Sequence, residues 1–143
     1  MQKTKFDTVK ELAPKWHLFD AKDQILGRLA TKVADVLNGK DSAHFSPNQY
    51  NQTKVVVINS DKVAVTGRKL KNKEYIWHTG FPKGLRSQTL KDALEKDSTK
   101  VIESAVKGML PKNRLQKKKM AGLYVYKDEN HKHTANFGKA EAK

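Results

Sequence analysis

WHLFDAKDQILGRLATKVADVLNG, residues 16–39, changes its hydrophobic period midway. Residues 16–20 are aromatic and apolar and end on a turn-former, which predicts a strand. A short polar turn follows over residues 21–24. From Leu26 to Leu37 the period becomes helical: Leu26, Leu29, Ala30, Val33, Ala34, Val36 and Leu37 fall within an arc of about 160° at 100° per residue. Arg28, Thr31, Lys32, Asp35 and Asn38 take the other side, with Asp35 and Lys32 placed to pair on the surface. Gly39 stands where a left-handed residue would end the helix. Strand, tight turn and amphipathic helix together open a βαβ unit.

The rest of the chain agrees. Val55-Val56-Val57-Ile58 is apolar without alternation, as expected of a strand covered on both faces in a parallel sheet. Residues 63–66 form a second short run, closed by Gly67, and residues 73–79 a weaker strand or extended loop. Residues 80–84 (GFPKG) break regular structure. Leu90, Ala93 and Leu94 predict a short helix. Ser98 can cap a second helix whose face holds Val101, Ile102, Ala105, Val106 and Met109. Pro111 stops it and can open a further helical turn. Residues 123–126 are the last strand candidate. The expected architecture is a single α/β domain over residues 16–126, with helices covering a small, mostly parallel sheet. Residues 1–15 form an N-terminal arm and residues 127–143 a polar C-terminal extension.

The 143 residues are enough to bury a core without covalent staples, and there is no cysteine, which excludes disulfides and thiolate metal sites. No apolar run reaches membrane-spanning length, and residues 1–15 lack the apolar stretch of a secretory signal. These features predict a soluble intracellular protein with no membrane partner, cytoplasmic by default and organellar as the alternative.

Net charge is +14, and it is segregated. Residues 1–61 carry +2, residues 62–91 carry +7, residues 92–106 carry −2 and residues 107–143 carry +7. Two cationic blocks separated by a near-neutral helical stretch imply a polyanionic partner, because like charges gathered on one surface repel unless something opposes them. The second block contains KGMLPKNRLQKKK, residues 107–119, with Lys107, Lys112, Arg114, Lys117, Lys118 and Lys119 and no acid. At the helical period Arg114, Lys117 and Lys118 share an arc of about 100°, while Lys112 and Lys119 flank Leu115 on another side. With Leu115 almost its only apolar anchor, this turn is expected to depend on a bound polyanion for its order.

The first block holds Arg68, Lys69, Lys71 and Lys73, then His78, Lys83 and Arg86, interleaved with Tyr75, Trp77 and Phe81. Cations between aromatic rings suit RNA, the charges following the backbone and the rings stacking on exposed bases. Tyr75 and Trp77 fit the core of a strand equally well. Gly80 and Gly84 would permit close approach of a phosphate or simply make a turn.

Catalytic signatures are missing. Asp20 and Asp23 fit turns or caps better than an acid/base pair. His131 and His133 have no third metal ligand nearby in sequence, and neither a G-x-G-x-x-G nor a phosphate-loop motif occurs. The chain is read as no enzyme, with no cofactor and no metal.

Three blocks, WHLFDAKDQILGRLATKVA, VVVINSDKVAVTG and ESAVKGMLPKNRL, resemble in order and spacing the ribosomal protein L13 family of the large subunit, over residues 16–133. The resemblance implies a three-layer α/β/α domain with a four-stranded, chiefly parallel sheet. It also implies binding to large-subunit ribosomal RNA, early subunit assembly, neighbouring large-subunit proteins as partners, and a chain that is not a homo-oligomer. The family's RNA-facing basic segment falls on Lys107, Lys112, Arg114, Lys117, Lys118 and Lys119, and its glycine-rich basic loop on Gly80, Lys83, Gly84 and Arg86. The chain departs from the family pattern at residues 41–47 (DSAHFSP), at Gln52-Thr53 and at Gln116. An RNA-binding regulator acting outside the ribosome and a small nucleotide-acting enzyme are the rival readings.

Overall fold

The computed structural model describes residues 14–43 and 45–137. The expected arm (residues 1–13 of it) and the last six residues of the extension fall outside these. Strand β1 (Trp16–Asp20) leads into helix α1 (Leu26–Asn38), and β2 (Lys54–Ile58) follows. After a 3-10 turn at Ser60–Lys62 come a four-residue helix α2 (Lys69–Asn72), strands β3 (Glu74–His78) and β4 (Leu85–Thr89), and the long helix α3 (Leu90–Met109). Helix α4 (Gln116–Met120) and β5 (Leu123–Val125) close the domain, and a second 3-10 turn lies at Thr134–Asn136.

The main sheet has three parallel strands in the order β1-β2-β5, with Trp16 opposite Lys54 and Val55 opposite Leu123 at the start of each ladder. The fourth strand expected at residues 63–66 is reduced to one bridge between Ala64 and Ile25. Its neighbour turns into α1 one residue later, so the ladder ends after Leu26 N–H donates to the Ala64 carbonyl at 2.9 Å. β3 and β4 form a separate antiparallel hairpin. The polar sequence LRSQT of β4 carries no strand pattern, and its pairing with β3 supplies what propensity does not.

β2 explains the layering. Successive side chains of a strand point to opposite faces. Val55 and Val57 pack with Leu29, Ala30, Val33 and Leu37 of α1 and Val101, Ile102 and Val106 of α3. Val56 and Ile58 face the other way and meet Phe137, Trp16, Leu18, Tyr124 and Tyr126. These four apolar residues of β2 are buried, each worth about 1.5–3 kcal/mol. Among the described residues the second face is thus covered by the segment carrying Phe137, not by α-helices. That segment belongs to the polar extension. Its imidazoles join the cover: His133 lies 4.4 Å from Tyr124 and 5.1 Å from Trp16 between ring centroids, and His131 lies 5.6 Å from Phe137.

Gly39 ends α1 as expected, at φ +86°, with its N–H on the Val36 carbonyl and that of Lys40 on the Asp35 carbonyl. A Cβ there would stand 2.1 Å from Asn51 Nδ2, so both conformation and space demand glycine. Asp35 pairs with Lys40 at 2.8 Å, not with Lys32. The two helices expected around Ser98 run together through a kink at Asp97 (φ −161°). Asp97 Oδ1, one residue earlier than expected, takes the capping role by accepting from Thr99 N at 3.3 Å and Thr99 Oγ1 at 2.7 Å. Ser98 is instead buried, 2.7 Å from Ser60 Oγ, and donates to Asp61 Oδ1. The first half of α3 begins with a reciprocal cap: Thr89 Oγ1 accepts from Asp92 N at 3.2 Å and donates to Asp92 Oδ2 at 2.7 Å.

Candidate nucleic-acid interface

The basic segment after α3 is a pinned connector. Pro111 follows the last turn of α3, where Leu110 N–H reaches the Val106 carbonyl at 3.0 Å. Asn113 Oδ1 accepts from Leu115 N at 3.0 Å and starts the next turn, and α4 itself begins only at Gln116. Gln116 Nε2 then donates back to the carbonyls of Lys107 (3.0 Å) and Leu110 (3.2 Å), satisfying the end of α3. The polyanion-dependent order expected for this turn is therefore replaced by internal bonds.

Lys119 supplies the rest of the anchorage. It is only 1% exposed, and its Nζ donates to Asn38 Oδ1 at the C-terminal end of α1. Burial pushes its pKa below the ordinary 10.5. It cannot meet a phosphate from this position and so leaves the candidate set. The signal was present in the sequence, since Lys119 lies one helical turn beyond Leu115 and shares its inward side.

Lys107, Lys112, Arg114, Lys117 and Lys118 are exposed. A cleft of about 540 Å³ lies among Lys107, Lys112, Asn113 and Gln116, and another of about 500 Å³ among Lys100, Lys107, Lys117 and Met120. Both include Ser104 of α3, and the first includes Gly108. A third, of about 720 Å³, has Ser104, Gly108 and Met109 on one wall and Arg68, Lys69, Asn72 and Lys73 on the other. Arg68–Lys73 of the first cationic block thus approaches Lys107 and Lys112 of the second at the C-terminal half of α3, although 33 residues lie between Lys73 and Lys107 in sequence. Lys71 is exposed on α2 without lining these clefts.

His78, Lys83 and Arg86 are carried by the β3–β4 hairpin, outside those clefts. Leu90 N–H ties the hairpin's base to the Lys73 carbonyl at 2.8 Å. Its turn is tightly made: Gly84 N–H donates to the Phe81 carbonyl at 2.8 Å, Lys83 takes φ +59°, and His78 Nδ1 accepts from Gly80 N at 2.9 Å. A Cβ on Gly84 would stand 2.2 Å from Thr79 Oγ1, so that glycine serves the turn. Trp77, opposite Arg86 in the ladder, is 49% exposed and Phe81 is 73% exposed. Tyr75 packs against the core, and its ring lies under Lys73 Nζ at 5.3 Å. The core reading therefore holds for Tyr75 and fails for Trp77.

Asp20 acts as a turn-former, accepting from Lys22 N and from Asn59 Nδ2, each at 2.9 Å. The Lys22 amide is the main reason its carboxyl is held below the usual range. Among the described residues no group of three or more His, Cys, Asp or Glu side chains could hold a metal ion, and no helix is long and apolar enough to cross a membrane.

Fold and surface together define a small α/β scaffold whose distinctive chemistry is exposed, clustered positive charge. The chain belongs to the ribosomal protein L13 family, whose model matches residues 14–132. It is 47% identical over 133 residues to the large ribosomal subunit protein uL13 of Maridesulfovibrio salexigens, covering 93% of this chain and 94% of that one. It is 46% identical over 125 residues to the uL13 of Halorhodospira halophila (87% and 88% covered) and 44% identical over 140 residues to that of Helicobacter pylori (98% and 99%). This family is a structural ribosomal component and not an enzyme.

Proposed function

We propose that this chain is a structural constituent of the large ribosomal subunit in the cytoplasm, that it binds large-subunit ribosomal RNA, and that it supports early assembly of the subunit. The observation that carries the RNA contact is the convergence of Arg68, Lys69 and Lys73 with Lys107 and Lys112 along α3. Arg114, Lys117 and Lys118 extend that surface past α3, Lys71 extends it on α2, and His78, Lys83 and Arg86 extend it along the hairpin. The mechanism is electrostatic. Lysine and arginine displace counterions from phosphates and hold folded RNA segments in one arrangement, with shape read more than base sequence. A folded scaffold suits this role, because the backbone that carries these side chains is ordered before binding.

Sedimentation of cell extracts through a sucrose gradient, combined with crosslinking, tests the proposal. The chain is expected to travel with large subunits and their precursors, and to crosslink to their RNA through residues 68–73 and 107–118. Recovery only in the light fractions would refute ribosomal residence.

A further inference from the structure

We propose that the 720 Å³ cleft between α2 and α3 receives a single unpaired nucleotide extruded from RNA, a reading that rests on the RNA binding proposed above. The cleft's size is within the range of about 300–1,000 Å³ usual for sites that enclose small molecules. Its walls differ chemically. Arg68, Lys69 and Lys73 stand on one side, all exposed, with no acidic residue in the lining. Ile25, Val65, Ala105 and Met109 give the cleft an accessible apolar surface. A nucleotide has the same division: an apolar base face and an anionic phosphate at one end. A paired stem shows phosphates, 2′-hydroxyls and base edges but keeps its base faces stacked inside, so it has no ring face to place on the apolar part.

The cleft's two glycines point the same way. Gly27 belongs to α1 and Gly108 to α3, and both line the cleft. Glycine lowers helix stability, so in a helix it needs a reason, usually a neighbouring group that a Cβ would strike. Neither has one inside this protein, since a Cβ built on either would meet nothing within 4 Å. Gly39, Gly84 and Gly122 differ: a Cβ on each would strike protein atoms at 2.1, 2.2 and 2.7 Å. What Gly27 and Gly108 leave clear is the cleft itself, for a group that comes from outside the chain.

The test uses the full chain and two RNA stems alike except that one carries a single bulged 2-aminopurine. The wild type is expected to bind the bulged stem more tightly and to change the emission of the bulged base. Gly108→Ala and Gly27→Ala are each expected to lower affinity for the bulged stem about fivefold or more, the scale of removing one stacked base, and to leave the paired stem unaffected. Their melting temperatures should be unchanged or higher, a combination that a purely structural glycine would not give. Unchanged emission on binding, or alanine variants that keep the bulge preference, overturns the cleft assignment. If the paired stem still binds with a steep salt dependence, the RNA-binding reading survives that result. Saturable binding of adenosine monophosphate alone, with no advantage for the bulge, would make this a free-nucleotide site and also overturn it. A wild type that binds neither stem overturns both readings.

Discussion

Replacing Lys119 by methionine separates a cation that holds this fold from those proposed to meet RNA. Lys119 sits in the densest part of the basic run, and charge counting alone would place it on the RNA surface. In the structure it is buried with a single acceptor, Asn38 Oδ1, and no carboxylate bridges to it among the described residues. Its ammonium gains from the C-terminal end of α1, an effect of about 0.3–1 kcal/mol, and from one charge-assisted hydrogen bond, about 1.5–3 kcal/mol. Against this stands the desolvation of a full charge, which costs several kcal/mol. Methionine keeps the length and fills the same slot, and the half-exposed Asn38 can turn to water. The expected outcome at pH 7 is a gain of about 1–2 kcal/mol, or about 3–8 °C in Tm. The sign of the pH dependence follows from the lowered pKa. The folded chain binds fewer protons than the unfolded one between the folded pKa and 10.5, so wild-type stability rises with pH through that window. The advantage of Lys119→Met should therefore shrink in alkali. Urea titrations followed by circular dichroism at pH 7 and at pH 10 measure both effects. A variant less stable than wild type at pH 7, or a drop in the salt slope of its RNA binding, would refute the reasoning.

Changing Arg114, Lys117 and Lys118 together to glutamine should lower the log–log salt slope of RNA binding by roughly 0.7–0.9 for each phosphate no longer neutralised, with stability within about 0.5 kcal/mol of wild type; an unchanged slope would remove these residues from the interface. Ser98→Ala leaves Ser60 and Asp61 without their buried partner and should cost about 1–3 kcal/mol, so a chemical denaturation midpoint equal to wild type would show that the pair contributes nothing. Asp20→Asn should lose the stability that Asp20 contributes above its unfolded pKa near 3.8 and wild type loses only as pH falls through the lower folded value; the gap between the two proteins should therefore close in acid, and a gap that widens below pH 3 would contradict the assignment.

The parts of this structure legible in the sequence are those where one interaction dominates. The change of period between Phe19 and Leu29 specified β1 and α1 because burial against one face outweighs everything else there. Val55–Ile58 could be read as doubly covered because no polar residue interrupts it. Gly39 was legible because its position and its backbone requirement coincide. The β4 strand was hidden because its residues are polar, and only pairing across a six-residue turn makes it a strand. The cap at Asp97 was missed by one residue because Asp and Ser both suit that role, and tertiary bonds to Ser60 and Asp61 decided between them. Phe137 was hidden for another reason: a lone aromatic residue in a polar tail has no period, and its burial depends on the face of β2 that α1 and α3 leave open.

The candidate interface shows the same division. Clustering of charge was visible as two blocks, because net charge is a sum over residues and needs no geometry. Their meeting along α3 was not visible, because it depends on the helix crossing the space between α2 and the α3–α4 connector. This geometry also accounts for the near-neutral stretch between the blocks. Residues 92–106 carry the acids of α3: Asp92 caps the helix, Asp97 shapes its kink, and Glu95 pairs with Lys91. Beyond Glu103 the exposed surface of α3 passes to Ser104, Lys107 and Gly108, small or cationic residues on which the clefts converge. Asp92, Glu95 and Asp97 are thus placed where the helix needs its own turns fixed, and Glu103, which lines the cleft with Lys100, Lys107 and Lys117, is the last acid before the cationic end. A single helix therefore serves both tasks: its buried face, with Leu90, Val101, Ile102 and Val106, secures the fold, and the exposed side of its last two turns joins two cationic surfaces that the sequence keeps apart.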